Sequence, residues 1–387
     1  MPVNVEDHRL RAKRRLPRFV FDYVEGGADD ESCLRRNRAD MERVTLTPTC
    51  LRDVSAVDSS AGLFGRRWRA PIAIAPTGFN GLVRPDGDLL AARAAAAVQV
   101  PFSLSTASNT RMERLGRETD GERWFQLYVM TDRSIAEQMI ERARQAGFTT
   151  LILTVDVPTG GNRERDRRNG FRLPFRPSLA TILDLCRRPA WLAGLARSGP
   201  PRFVNLSPTE DHEQSAELQA ALLSRALDRR LSWDDVAWLR ARWDGPIIIK
   251  GLLHPEDAVR AVHAGVNGII VSNHGGRQLD AAPSTISALP AMVAAIAGRL
   301  PVLVDSGFRR GSDVVKAVAL GACGVLLGRP VLYGLAAGGE AGVRAVLETI
   351  IAEIETTMTL IGAASIAEIG PQHLLSHPSV FHRTPPS

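Results

Sequence analysis

Lysine is almost missing from this chain of 387 residues: only Lys13, Lys250 and Lys316 occur, and arginine supplies nearly all of the 48 basic side chains. The net charge of +6 alone would suggest a nucleic-acid partner. No basic-aromatic motif of an RNA- or DNA-binding module is present, however, and acids are interspersed nearly everywhere, which argues against one. Cysteine is also scarce. Cys33, Cys50, Cys186 and Cys323 show neither CxxC nor metal-ligand spacing, which excludes a disulfide frame and a zinc site and suggests reduced thiols in a cytoplasmic setting. No apolar run approaches the roughly 18 residues of a spanning helix. The start, MPVNVEDHRLRAKRR, has no apolar core of a secretory signal. Neither a Walker motif nor GxGxxG occurs. What remains, 44% apolar and 23% charged residues, is a globular composition.

Short apolar runs rich in branched residues recur: PIAIAP (71–76), PFSLST (101–106), WFQLYV (124–129), TLILTVD (150–156), PIIIKG (246–251), GIIVSN (268–273), PVLVDSG (301–307) and GVLLGR (324–329). They are mostly non-alternating, as parallel strands buried on both faces are. Segments with helical spacing separate them, at 87–100, 134–147, 254–265 and 312–322, and several end in glycine. Eight strands alternating with helices predict a single (β/α)8 TIM barrel over 1–387. An open doubly wound sheet is the alternative. FDYVEGGADDE (21–31) reads as a helix ending at Gly26-Gly27, and AVLETIIAEIETTMTLIG (345–362) as a C-terminal helix ahead of a loose tail, 377–387.

Polar residues gather at the strand C-termini: Thr77-Gly78, Ser105-Thr106, Gln126 and Tyr128, Thr154 and Asp156, Lys250, Ser272 to His274, Asp305 to Gly307, and Gly328-Arg329. In a barrel those ends share one rim, where active sites sit. A lysine directly after the buried run PIII is not casual in a chain with so few. The last two strand ends, DSGFRRGSD (305–313) and LLGRP (326–330), place glycine before a helix start. Free backbone N–H groups and the helix dipole there suit a phosphate, with Arg309 and Arg329 as guanidinium forks.

VSNHGGRQLD (271–280) puts a histidine and an arginine three residues apart around two glycines. With Lys250 upstream, DSGFRRGSD downstream and FDYVEGGADDE near the start, the chain resembles the FMN-dependent L-2-hydroxy acid oxidizing enzymes over roughly residues 5–370. That family includes glycolate oxidase, lactate oxidase, flavin-type lactate dehydrogenase and mandelate dehydrogenase. The resemblance implies His274 as catalytic base, Asp156 as its carboxylate partner, and Arg163 and Arg277 as the substrate-carboxylate pair. It implies Tyr23 and Tyr128 as site tyrosines and Lys250 beside the flavin N1–C2=O edge. Thr77, Thr106, Gln126, Thr154 and Ser272 match flavin-contacting positions. Asp305, Gly307, Arg309, Gly328 and Arg329 match ribityl and phosphate contacts. Gly78 and STASN (105–109) look most like mandelate dehydrogenase, which favours room for a bulkier side chain.

The chemistry fits these residue types. Two arginines can hold a carboxylate by charge-assisted forks, a neutral histidine can take the hydroxyl proton near pH 7, and a buried lysine can answer charge on the reduced flavin. The α-hydrogen then leaves as hydride to flavin N5, with a carbanion route as the rival. Between strands four and five, residues 167–203 mix arginines with Phe171, Phe175, Leu179, Ile182, Leu183, Leu185, Trp191, Leu192 and Leu195, and only Asp184 is acidic. Such a mixture suits an interfacial segment, and the resemblance places a membrane anchor in this loop. The segment also suits a substrate lid or a subunit contact. The expected protein is a dehydrogenase, peripheral on the inner face of the cell membrane, passing electrons to a quinone or another carrier as a homotetramer. The alternatives are a soluble oxidase making hydrogen peroxide, or a phosphate-binding barrel such as an isomerase or aldolase.

Overall fold

The structure, a computed structural model, describes residues 2–170, 178–206 and 227–375. The eight apolar runs form β3 (Ile72–Ile74), β4 (Phe102–Ser105), β5 (Arg123–Leu127), β6 (Thr150–Thr154), β7 (Ile247–Leu252), β8 (Gly268–Val271), β9 (Val302–Val304) and β10 (Gly324–Leu327). They close in sequence order, β10 pairing back to β3, with all pairs parallel. The result is a (β/α)8 barrel. One strand face packs inward, with Ala73, Trp124, Ile152, Ile248, Ile270, Leu303 and Leu326 filling the interior. The other face meets the surrounding helices. Burial on both sides explains why these strands do not alternate.

A hairpin the sequence reading missed closes the barrel floor. β1 (Ala61–Leu63) and β2 (Arg66–Trp68) pair antiparallel. The two loop residues, Phe64 and Gly65, have φ of 51° and 73°, the left-handed pair a tight hairpin needs. Trp68 enters the barrel and packs on Trp124 at 5.5 Å between ring centroids. Both indole N–H groups donate to Glu122, at 2.9 and 2.8 Å, so this polar pair is satisfied inside an apolar floor.

The expected helices form at Gly87–Ala97, Arg133–Gln145, Pro255–His263 and Gly311–Ala319. The C-terminal helix begins earlier than its periodicity suggests: it runs Arg329–Ile361 and bends at Gly339, whose φ and ψ are 63° and −138°. It packs on the helices Val5–Arg15, Gly87–Ala97 and Gly311–Ala319. Between β6 and β7 the chain makes a long excursion carrying the helices Glu164–Arg168, Leu179–Cys186, Pro189–Ser198 and Asp235–Arg240. Phe171 and Phe175, and the tail 377–387, lie outside the described residues.

Candidate active site

After β8 the chain turns sharply. His274, Gly275 and Gly276 have φ of 57°, 70° and 73°, three left-handed residues in a row. Glycine is required at the second and third, because a Cβ on Gly275 would lie 2.8 Å from the Arg329 guanidinium and one on Gly276 would lie 2.7 Å from the Leu34 amide nitrogen. For His274 the same conformation costs about 1 kcal/mol, and such strain collects at functional positions. Reciprocal amide bonds between Asn273 and Asn37, at 2.7 and 3.0 Å, anchor the turn.

The turn aims His274 at Asp156: Nδ1 lies 3.0 and 3.1 Å from the two carboxylate oxygens. With Nδ1 donating, Nε2 keeps its lone pair. Gly251, at φ 111°, lets Asp156 approach, since a Cβ there would sit 2.6 Å from the Asp156 Cβ. Gln278 ties the two loops together, donating to the carbonyls of Asp156 and Thr159 at 2.9 Å and accepting from the Gly161 amide at 3.1 Å. Burial pushes the His274 imidazole below its ordinary range, and Lys250 adds to this against the pull of Asp156. Burial opposes ionisation of Asp156, yet the His274 ring and the Lys250 ammonium outweigh it and hold the carboxyl low. The pair is therefore a neutral imidazole beside a carboxylate.

A cavity of about 920 Å³ opens at this rim. Tyr23, Tyr128, Arg163, His274 and Arg277 line it, together with Lys250, Asp305, Gly307, Arg309, Gly328 and Arg329 and with Thr77 and Gly78. Arg277 spends one terminal nitrogen on the carbonyls of Tyr23 and Gly26, at 2.7 and 2.8 Å, and stacks over the Tyr23 ring at 5.0 Å. Burial, then Arg163 nearby, pulls its pKa down to about 9, so an anion in the cavity relieves both guanidiniums. Arg163 Nε is buried without a hydrogen-bond partner. Asp166, which the sequence reading missed, also lines the cavity. Burial pushes it above the ordinary carboxylate range, against Arg277 and Arg163.

Other residues lie one layer down. Asp156, Thr106, Gln126 and Ser272 sit behind the wall, and Thr154 borders a smaller adjoining cavity. Ser272 accepts from Lys250 Nζ at 2.9 Å, and Lys250 pairs with Asp305 at 3.3 Å. Burial disfavours the Lys250 charge, but Asp305 and Asp156 more than restore it. Thr106 donates to the Gln126 carbonyl at 2.7 Å. Gly78 has a packing reason as well: an added Cβ would meet that of Ala107 at 2.8 Å.

The phosphate end corrects two expectations. The start of the helix Gly311–Ala319 does not present free amides: Asp313 accepts from the Arg309 and Arg310 amides at 2.8 and 3.1 Å, and Glu353 accepts from Gly311 at 2.7 Å. Nor is Arg329 a free fork. Its three guanidinium nitrogens donate to the carbonyls of Val24, Gly275 and Gly26 at 2.8–2.9 Å, stapling the N-terminal segment to the histidine turn. Among the described residues, the amides of Gly307, Phe308, Gly328 and Arg329 find no protein acceptor, and they stand beside Arg309.

This rim has the features FMN requires. Gln126 Nε2 and Thr154 Oγ1 are buried without a partner, each a penalty of about 1–3 kcal/mol unless a ligand answers it. A buried ammonium, open amides and an arginine line the same cavity. Residues 12–376 match the model of the FMN-dependent dehydrogenases. The chain belongs to this family. It is 47% identical to (S)-mandelate dehydrogenase of Pseudomonas putida over 96% of this chain and 93% of that one. It is 44% identical to a peroxisomal (S)-2-hydroxy-acid oxidase of Oryza sativa subsp. japonica, covering 97% and 96%. A crystal structure of the monotopic membrane protein (S)-mandelate dehydrogenase superposes with a TM-score of 0.93 at 46% identity, covering 97% of this chain and 100% of that one. The protein is thus an FMN-dependent enzyme, and the isomerase or aldolase alternative falls away.

Proposed function

We propose that the chain oxidises an (S)-2-hydroxy acid, mandelate-like or lactate-like, to the 2-oxo acid. One observation carries this reading: a neutral imidazole backed by a carboxylate faces the same cavity as two half-buried guanidiniums with donors to spare. Arg163 and Arg277 grip the substrate carboxylate, which fixes the α-carbon. His274 Nε2 takes the hydroxyl proton, and Asp156 stabilises the imidazolium that forms. Burial pushes the Tyr128 phenol well up, so it stays a hydrogen-bond donor beside the substrate, with Tyr23 opposite. FMN supplies the two-electron acceptor that receives the α-hydrogen with its bonding electrons.

Lys250 would supply positive charge to the flavin ring, answering the negative charge that its reduction adds. Thr77, Gly78, Thr106, Gln126, Thr154 and Ser272 would hold the ring side. Asp305, Arg309 and the backbone of Gly307, Gly328 and Arg329 would hold the ribityl chain and the phosphate. Phe79 and Phe203 pack edge to face at 4.6 Å on the cavity wall, and this apolar corner suits an aryl side chain.

We also place the enzyme peripherally on the inner face of the membrane, delivering electrons to a quinone or another carrier. No helix among the described residues is long and apolar enough to cross a membrane. Leu179, Ile182 and Leu183 are instead 81%, 44% and 63% exposed on one short helix, and the similar (S)-mandelate dehydrogenase is monotopic. The exposed Leu51 and Leu360 support a subunit contact of a homotetramer. The rice relative favours a second reading, a soluble oxidase.

Anaerobic mixing with (S)-mandelate, L-lactate and glycolate tests the chemistry. The visible flavin band should bleach with at least one, and no bleaching with any of them would refute the reading. Air-saturated buffer should then reoxidise the enzyme slowly; rapid return of colour would favour the oxidase.

A further inference from the structure

Behind Arg309 lies a layer of side chains that the reaction does not use. Tyr333, on the helix Arg329–Ile361, is 1% exposed. Its phenol donates to Glu25 at 2.6 Å, and the other Glu25 oxygen accepts from Arg9 Nε at 2.7 Å. The Arg309 guanidinium lies 5.7 Å from the Tyr333 ring centroid. Arg309 itself donates from one terminal nitrogen to its neighbour's carbonyl, Phe308, at 2.8 Å. Its remaining guanidinium N–H groups find no acceptor among the described residues.

These contacts have a common effect. An arginine side chain is long and loses much rotamer freedom when held. Here an aromatic face holds the cation by charge–quadrupole attraction without consuming its donors. A phenol donating to a carboxylate gives its ring more electron density, which strengthens that attraction. Arg9 neutralises Glu25, so Arg309 keeps its charge for the cavity. We propose that Tyr333 is a positioning residue for the FMN phosphate: its ring, fixed by Glu25, holds Arg309 at the phosphate end. This rests on the reading of Arg309 as a phosphate ligand. The rival account makes Tyr333 only a staple between the long helix and the N-terminal helices.

Riboflavin, which lacks the phosphate, separates the two. Holoenzyme loaded with FMN, or exchanged into riboflavin, is diluted, and flavin release is followed by recovery of free-flavin fluorescence. Tyr333→Leu should release FMN about tenfold faster, the scale of a desolvated cation–π contact, and leave riboflavin release within about twofold. Tyr333→Phe, which keeps the ring, and Glu25→Gln, which keeps the shape, should each speed FMN release about two- to threefold with riboflavin unchanged, and they carry the test if Tyr333→Leu does not fold. Arg309→Met is the reference. If it releases both flavins alike, Arg309 is not the phosphate ligand and the underlying reading fails. If it is selective for FMN while the Tyr333 and Glu25 variants alter both flavins equally or neither, Tyr333 is a staple and the inference is overturned.

Discussion

The barrel rim and the excursion after β6 break the ordinary burial rule in opposite directions. At the rim, charges go inside: Lys250 is buried and Arg277 and Arg329 are half-buried, each held by carbonyls, a carboxylate or a hydroxyl. On the excursion, apolar groups go outside. The helices Leu179–Cys186 and Pro189–Ser198 contain no buried residue, and Leu179, Ile182 and Leu183 face solvent. Yet this region is docked. Trp191 donates to the Leu82 carbonyl at 2.8 Å and packs edge-on to Phe19. Arg188 donates to the Leu16 carbonyl at 3.0 Å, and the Arg18 amide to Asp184 at 2.6 Å. A loose lid has no such anchors. Buried charge and exposed apolar surface are both unfavourable in isolation and both point to something absent from the chain itself: a charged ligand in one case, an apolar phase in the other.

The two regions should therefore fail differently. His274→Gln should slow flavin reduction by about a thousandfold or more, the scale of a lost general base, with FMN still bound and vesicle binding intact. Turnover like wild type would remove His274 from its role. Arg277→Lys loses the planar fork, about 2–3 kcal/mol of charge-assisted bonding and so roughly a hundredfold in kcat/KM. Steady-state kinetics with unchanged kcat/KM would exclude that grip. A Leu179→Ser, Ile182→Ser, Leu183→Ser variant should do the reverse. Its binding to vesicles containing anionic lipid should weaken roughly tenfold or more, while anaerobic flavin reduction stays as in the parent. Undiminished sedimentation with vesicles would reassign this surface to a subunit contact.

Much of the rim was legible in sequence because its residues ride on eight strands whose apolar runs are unmistakable. His274, Arg277 and Asp156 follow strand ends directly, so strand order places them. Residues acting through the second layer were harder to read. Asp313 and Glu353 cap a helix start that glycine and serine seemed to leave open, and only the position of Asp313 near that helix start hinted at it. Arg329 sits at a ligand-like position but serves as a staple, which depends on carbonyls of Val24 and Gly26 far away in sequence. Asp166 was hidden among exposed charges of a short helix. The floor hairpin escaped because Phe64-Gly65 is not a usual turn pair and RRWR does not read as a strand.

The central claim is that a half-buried, neutral imidazole held by Asp156 is the base. The direct test is the pH dependence of anaerobic flavin reduction in rapid mixing. Burial holds His274 below its ordinary value of 6.5, and only the neutral form accepts the proton. Below the Arg277 pKa of about 9, the rate should hold steady down through 6.5 and fall only below it, and His274→Gln should abolish that fall. An acid limb at or above 6.5, or one that persists in His274→Gln, would contradict the account.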